Sequence, residues 1–171
     1  MATFSVSDFF DVPISAHKNG AKFIDISALK TESKTESDLA KILSLRGVYV
    51  FSIRAGKGRR PWYVGKSEKS TFLKEAFNER NQNGLNAHIN NHKGTLQINF
   101  ITQERTPGKP NLKQIAEIEY LLIGYAANRN PNLLNKNNKN QDYEFVIKNV
   151  YNSGSGKPSN REREFKSLMG L

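Results

Sequence analysis

The chain contains no cysteine among its 171 residues, only three histidines, and no long apolar run. The absence of cysteine excludes disulfides, thiolate-bound zinc or iron–sulfur centres, and a cysteine nucleophile. It leaves an oxygen-ligated ion as the natural choice of metal. No apolar stretch approaches the roughly 20 residues of a membrane-spanning helix, and the first residues lack the features of a secretory signal. We therefore expect a cytoplasmic protein with no membrane partner.

The basic residues are concentrated in one part of the chain. Lysine and arginine number 26 against 16 aspartates and glutamates, which gives a net charge of +10. Residues 1–46 carry six of each sign, so the whole excess lies in residues 47–171. The densest basic stretch contains Arg54, Lys57, Arg59, Arg60, Lys66 and Lys69. Such a stretch is typical of proteins that bind the phosphates of DNA or RNA, although basic charge also serves solubility alone.

Length and patterning indicate one domain with an extension at each end. Hydrophobic residues make up 37% of the chain, enough to bury a single core. Residues 1–46 are expected to form a helical extension and residues 47–135 the central domain. Residues 136–171 are expected to form an Asn/Lys-rich segment with a candidate edge strand, followed by a basic tail that frays after Ser153.

The central domain alternates between strand and helix patterns. The sequence predicts strands at 48–53, 61–65 and 96–100, helices at 71–81, 85–92 and 112–128, and a candidate edge strand at 143–150. The glycine-rich segment 55–60 is expected to form the long, basic tip of a β-hairpin. The expected fold is an α/β (α+β) sandwich, in which a small antiparallel sheet of about three strands is flanked by helices.

Glu119 stands out on the longest predicted helix because its neighbours one turn away are apolar. Ile115 and Ala116 precede it by one turn, and Leu122 and Ile123 follow it by one turn. A carboxylate among aliphatic side chains is costly unless it is paired or binds a cation. Glu119 is therefore a candidate metal ligand, and a structural salt bridge to a lysine or arginine is an equal alternative.

Two tyrosines of the predicted hairpin form a second candidate feature. Tyr49 lies in its first strand and Tyr63 in its second, and antiparallel pairing would bring the two phenols close together on one face. A pair of phenols could move protons or orient a water beside a phosphate. The alternative is that strands simply favour aromatic residues.

The motifs Gly47-Val48-Tyr49, Tyr63-Val64-Gly65, Glu119-Tyr120-Leu121-Leu122-Ile123 and Asn130-Pro131-Asn132-Leu133-Leu134-Asn135 follow one another along the chain. This ordered set resembles the GIY-YIG nuclease family. The first two motifs are similar to the family's signature strands, and the third is similar to its glutamate-bearing helix. The fourth is similar to the segment after that helix, which ends in an asparagine. The resemblance covers residues 47–135.

The resemblance implies a phosphodiester hydrolase that uses one divalent metal ion, Mg²⁺ or Mn²⁺. Glu119 would bind the ion, which polarises the phosphate and stabilises the leaving oxygen. Tyr49 would help to activate the attacking water, and Tyr63 would orient the site through hydrogen bonds to water or phosphate. Asn135 would brace the site from its far side.

The resemblance also implies contacts with the nucleic acid. Gly65 would keep the backbone clear for close approach of the substrate. Lys66, beside it, would contact a phosphate oxygen. The hairpin residues Arg54, Lys57, Arg59 and Arg60, together with the C-terminal tail, would hold the phosphate backbone of DNA.

The sequence departs from the family at one position. The family's first helix carries an arginine that stabilises the transition state, and the matching position here is Ala76. Arg80, expected one turn later on the same helix, is the first candidate to replace it, and Lys74 or Lys66 are the others. Loss of such a cation lowers rates by orders of magnitude.

Three functions are consistent with these features. The first is a metal-dependent DNA endonuclease whose catalytic residues are Tyr49, Tyr63, Arg80, Glu119 and Asn135. The second is a weakly active or inactive module of the same fold that binds DNA or RNA. The third is a basic interaction protein in which Glu119 forms a salt bridge.

Overall fold

The strands and helices are those of a computed structural model, which describes residues 2–104, 110–135, 145–154 and 156–171. The strands are β1 (Thr3–Val6), β2 (Phe10–Asp11), β3 (Ile14–Ala16), β4 (Lys22–Ile24), β5 (Gly47–Ala55), β6 (Gly58–Ser67), β7 (Thr95–Gln103) and β8 (Val146–Ile147). The helices are α1 (Ile26–Glu32), α2 (Asp38–Leu43), α3 (Phe72–Glu75), α4 (Glu79–Asn91), α5 (Leu112–Arg129) and α6 (Asn160–Met169).

The main sheet has six strands, so the predicted sheet of about three antiparallel strands is wrong. Its order is β6-β5-β7-β1-β8, and β2 also pairs with β7. The sheet is mixed because β8 runs parallel to β1, whereas β5 is antiparallel to both of its neighbours. The three additional strands come from the two ends of the chain. They are two to four residues long, too short for their alternating pattern to be recognised.

The first 46 residues are not the helical extension that the sequence predicts. They contain β1 and β2 of the main sheet, the separate two-stranded sheet of β3 and β4, and two short helices. Of these two helices, only the second could be recognised from the sequence, because serine is a typical N-cap residue. The side chain of Ser37 caps α2 by accepting a hydrogen bond from the backbone N–H of Ala40. The N-terminal segment is therefore part of the main sheet rather than an appendage to it.

The sheet is covered on both faces. Helices α5 and α6 pack on the face that carries Val48, Val50 and Val64. Helices α3 and α4 pack on the face that carries Tyr49 and Phe51. Strand β6 is the outermost strand on its side, so groups from both helical layers can meet along its edge.

The end of the chain is ordered, in contrast to the predicted fraying tail. Helix α6 begins at a capping box formed by Ser159 and Glu162. Its residues Phe165, Leu168 and Met169 are buried in the same core as α5. The predicted edge strand at 143–150 corresponds in its described part to β8, and the Asn/Lys-rich residues 136–144 lie outside the described residues.

The predicted helix at 71–81 is two helices. Helix α3 ends at Glu75, and α4 begins at Glu79 after Asn78, whose side chain accepts a hydrogen bond from the backbone N–H of Asn81. The predicted short helix at 85–92 is the second half of α4. No helix in the described parts of the chain is long and apolar enough to cross a membrane.

Candidate active site

The two tyrosines lie on one face of the β5–β6 hairpin. Tyr49 is opposite Gly65 in the strand register, and Tyr63 is opposite Phe51. The two phenol rings are stacked with their centroids 6.1 Å apart and an angle of 25° between their planes. The hairpin turn itself is short, since the strands extend to Ala55 and Gly58, and the long tip predicted from the sequence is wrong.

A β-bulge places Tyr63 beside Trp62 on this face. The register changes between Phe51 and Ser52, so that Trp62 is the extra residue on β6. Trp62 is buried in the same cluster as Phe51, and the adjacent Tyr63 packs against that cluster as well. Strict alternation would have turned one of these two neighbours to the opposite face.

Gly65 is required by the packing of Tyr49. A Cβ atom at Gly65 would lie 2.5 Å from both Cζ and Oη of Tyr49. The ring of Tyr49 cannot retreat easily, because Phe51 and Phe72 contact it edge-on. The predicted role of Gly65, to let a substrate approach the backbone, does not apply on this face, since the phenol fills the space.

Replacement of Gly65 by alanine is therefore expected to destabilise the fold and displace Tyr49. Overpacking of a well-filled core costs about 1–3 kcal/mol. The measurement is the free energy of unfolding in urea, with Gly58→Ala on the same strand as the matched control. A Cβ at Gly58 meets nothing closer than the carbonyl oxygen of Ala55, at 3.8 Å. Equal stabilities of the two variants would contradict the packing described here.

Asn81 fixes the hydroxyl of Tyr49. The side chain of Tyr49 is 3% exposed, and its Oη accepts a hydrogen bond of 3.0 Å from Nδ2 of Asn81. Burial and the neighbouring Tyr63 raise the pKa of Tyr49. Sequence reasoning missed Asn81. The available signal was its position one and two turns before Leu85 and Ile89, on the buried stripe of α4.

Tyr63 is the less buried of the two phenols and interacts electrostatically with charged side chains. Burial raises the pKa of Tyr63, and Glu119 raises it further, whereas Arg80 lowers it. Arg80 lies in the first turn of α4, not on the helix of Ala76 as predicted. Ala76, which the resemblance aligns with an arginine, is fully buried in the core. Arg80 is therefore a cation of the predicted helix that acts electrostatically on Tyr63.

Glu119 forms an ion pair with Lys66 across the α5–β6 interface. Nζ of Lys66 is 3.3 Å from Oε2 of Glu119 and 3.2 Å from Oε1 of Glu68. Burial raises the pKa of Glu119, and Lys66 opposes that rise. Burial acts to lower the pKa of Lys66, but Glu119 and Glu68 outweigh it, and the pKa of Lys66 is raised. The salt bridge that the sequence left as an alternative is therefore present, at the same end of β6 as the phenols.

Asn135 holds β6 between Tyr63 and Gly65. Its Oδ1 accepts a hydrogen bond of 3.2 Å from the backbone N–H of Val64, and its Nδ2 donates to the carbonyl of the same residue. Asn130, fully buried, donates from Nδ2 to the carbonyl of Pro61 at 2.7 Å. The segment after α5 therefore supplies the hydrogen bonds that the free edge of β6 would otherwise lack.

The basic residues of the hairpin are not equivalent. Arg54, Lys57 and Arg60 are exposed, and none of them forms an ion pair with a described residue. Lys74 is likewise exposed, on α3. Lys93 adds a further cation near Arg54, because both line an open groove of about 420 Å³ at the hairpin tip.

Arg59, which the sequence predicts to bind nucleic acid, makes several structural contacts. Its Nε donates to Oε1 of Gln97 at 2.8 Å, and its Nη1 lies 3.1 Å from Oε2 of Glu164. The guanidinium also lies 4.2 Å from the ring centre of Phe9. Arg59 thus joins the hairpin to α6, β7 and the N-terminal segment.

Comparison with known proteins identifies no relative. No family model, no curated protein and no solved structure matches the chain. Within the described ranges, no group of three or more histidine, aspartate or glutamate side chains is arranged to hold a metal ion. Interpretation of the site therefore depends on the geometry of the five residues Tyr49, Tyr63, Arg80, Glu119 and Asn135.

Proposed function

We propose that the protein is a metal-dependent endonuclease of the GIY-YIG type that hydrolyses phosphodiester bonds in DNA. The observation that carries the proposal is that two stacked phenols and the ion pair of Glu119 with Lys66 lie at one end of β6, and that Glu119 and Arg80 both act electrostatically on Tyr63. Asn135 holds that strand in place. The residues that resemble the family's motifs are thus the ones that meet, although they are spread over residues 47–135.

The donor set fits an Mg²⁺ or Mn²⁺ ion that is only partly held by the protein. Mg²⁺ is commonly bound by one or two carboxylates, several waters and the phosphates of the substrate. Glu119 supplies one such carboxylate, and Glu68 lies on the other side of Lys66. The ion, when bound, supplies polarisation of the phosphate and stabilisation of the leaving oxygen.

The two phenols differ in burial, which suggests different roles in the proposed reaction. Tyr49 is almost fully buried and held by Asn81, so we assign it the orientation of Tyr63 rather than contact with the substrate. Tyr63 is more accessible and interacts electrostatically with Glu119 and Arg80. We therefore assign Tyr63 a hydrogen bond to a water or a phosphate oxygen, and Arg80 the stabilisation of developing negative charge.

The exposed cations of the hairpin are expected to contribute to DNA binding through salt-dependent phosphate contacts. Replacing Arg54, Lys57 and Arg60 by alanine should weaken binding and reduce the slope of log K against log salt by about one for each phosphate that is no longer neutralised. The measurement is fluorescence anisotropy with a labelled duplex over a range of salt concentrations. Arg59→Ala is the contrasting variant, because it should lower stability while leaving the slope unchanged. An unchanged slope in the triple variant would exclude the hairpin from the interface.

The function is tested by incubating the protein with supercoiled plasmid, linear duplex and RNA in Mg²⁺, Mn²⁺ or EDTA. Nicking or cleavage of DNA that requires the divalent ion supports the proposal. Tight, salt-dependent binding without cleavage in either metal would instead favour the alternative, a catalytically inactive module that binds DNA or RNA. Two observations favour that alternative: the buried Ala76 at the arginine position, and the ion pair that engages Glu119.

A further inference from the structure

Lys66 lies between two carboxylates, those of Glu68 and Glu119. Its ammonium group is 3.3 Å from Glu119 and 3.2 Å from Glu68, and its side chain remains 29% exposed. The side chain of Glu119 is 16% exposed. Lys66, the residue directly after Gly65, is therefore a cation with two anionic partners and access to solvent.

The ammonium group and a divalent ion would compete for Glu119. Both are cations that would take the same carboxylate oxygen, and each repels the other at short range. A single carboxylate that is already paired is a poor site for an ion that binds strongly hydrated. The protein alone is consequently expected to bind Mg²⁺ or Mn²⁺ weakly.

A phosphate group can relieve this competition. It offers Lys66 a new anionic partner and offers a divalent ion an additional oxygen ligand. Glu68 remains beside Lys66 when the lysine leaves Glu119, so that the ammonium group keeps a partner throughout the exchange. Lys66 therefore has two possible states. In one it pairs with Glu119, and in the other it pairs with Glu68 and the phosphate and leaves Glu119 free.

We propose that Lys66 exchanges Glu119 for a substrate phosphate, so that DNA binding and divalent-ion binding at Glu119 are coupled. This inference rests on the proposed function, since it assumes that Glu119 is the metal ligand. Lys66 acts in it as a positioning residue that keeps the carboxylate paired until the substrate arrives. Because coupling is reciprocal, the ion must also strengthen the binding of DNA.

The test measures Mn²⁺ binding through the electron paramagnetic resonance signal of the free ion. The titration is made without DNA and with a phosphorothioate duplex that resists cleavage. The same titration with Glu119→Gln and the duplex measures the Mn²⁺ that the DNA itself holds. This contribution is subtracted from the wild-type result. Wild-type protein is expected to bind Mn²⁺ at Glu119 at least about tenfold more tightly with the duplex than without it.

The Lys66→Met variant is expected to bind Mn²⁺ about tenfold more tightly than wild type without DNA and to lose most of the response to the duplex. Lys66→Arg keeps the charge and should behave like wild type. Lys69→Met, an exposed lysine without an ion pair among the described residues, is the matched control. Thermal melts by circular dichroism verify that each variant is folded.

The outcomes separate the two proposals. Equal Mn²⁺ affinities of wild type and Lys66→Met, or equal affinities of wild type with and without DNA, overturn the exchange even if metal-dependent cleavage is observed. If no Glu119-dependent Mn²⁺ binding occurs under any condition and no cleavage is found, the proposed function fails and the exchange fails with it.

Discussion

Glutamine in place of Glu119 is expected to lower the rate of Mn²⁺-dependent DNA cleavage by at least about a hundredfold. A metal ion contributes several kcal/mol of transition-state stabilisation, and about 1.4 kcal/mol corresponds to a tenfold change in rate. Glutamine retains the volume of the side chain but not the charge that binds the ion. Since Lys66 would still be paired with Glu68, the fold should tolerate the change.

Single-turnover cleavage of a labelled duplex at saturating enzyme measures this effect without a contribution from DNA affinity. Glu117→Gln is the matched control, because Glu117 lies on the same helix and pairs only with Lys113, at 3.8 Å, among the described residues. That variant should cleave like wild type. Equal rates for Glu119→Gln and wild type would mean that the activity belongs to another site or to a contaminant.

Alanine in place of Gly47 is expected to give the largest loss of stability, at least about 3 kcal/mol. Gly47 has φ +150°, a conformation that residues with a side chain rarely adopt. Its Cβ would also lie far inside contact distance of the carbonyl oxygen of Ile101 and 3.1 Å from Cζ of Phe72. Backbone strain of about 1–3 kcal/mol and overpacking of similar size combine here, because the Ile101 carbonyl is backbone and cannot rotate away.

Differential scanning calorimetry measures this loss as a fall in Tm of about 6–12 °C, since 1 kcal/mol corresponds to about 2–4 °C in a chain of this size. Gly124→Ala in α5 is the control. A Cβ there meets nothing within 4 Å, and alanine favours the helix. If Gly47→Ala has the same Tm as wild type, the close approach of the Ile101 carbonyl to Gly47 is wrong.

These predictions change how the first two motifs are interpreted. Gly47 is required because the backbone carbonyl of Ile101 in β7 lies where a Cβ would be, and Gly65 is required because the ring of Tyr49 lies over it. Both glycines thus have structural reasons that are independent of catalysis. The proposed function depends instead on the hydroxyl of Tyr63, the carboxylate of Glu119 and the guanidinium of Arg80.

The sequence predicted the elements that have long, regular patterns. The hairpin strands, the strand at 96–100 and the helix at 112–128 are found as β5, β6, β7 and α5. Strand β5 is a continuous run of strand-forming residues, β7 contains the alternating Leu96, Ile98 and Phe100, and α5 keeps a helical pattern over 18 residues, so that the local signal is strong.

The remainder of the fold was hidden because it depends on contacts between distant parts of the chain. The strands at the two ends are too short to show a period, and they form only because β7 and β1 offer them edges. Helix α6 was masked by its polar composition, since only Phe165, Leu168 and Met169 mark its buried side. Asn78, which caps α4, marks the break between α3 and α4. The break was not predicted because asparagine also occurs inside helices, at a modest cost in helix stability.

The candidate site was predictable in its residues but not in its contacts. Tyr49, Tyr63 and Glu119 belong to recognisable motifs. Asn81, which bonds to Tyr49, and Glu68, which pairs with Lys66, do not. Pairing of Lys66 with Glu119 depends on the packing of α5 against β6, which no sequence spacing specifies. The structural contacts of Arg59 were not predicted either, because its place in a basic stretch gives no sign of them.

The position of Mn²⁺ in a crystal is the most direct test of the central claim, that Glu119 holds a divalent ion beside the two phenols. The measurement is anomalous scattering from crystals grown with a short phosphorothioate duplex and soaked in Mn²⁺. We expect an anomalous peak on the carboxylate of Glu119, with a phosphate oxygen of the duplex as a second ligand and Lys66 moved away from that carboxylate. Bound DNA with no peak at Glu119, and with Lys66 still paired to it, would contradict the claim.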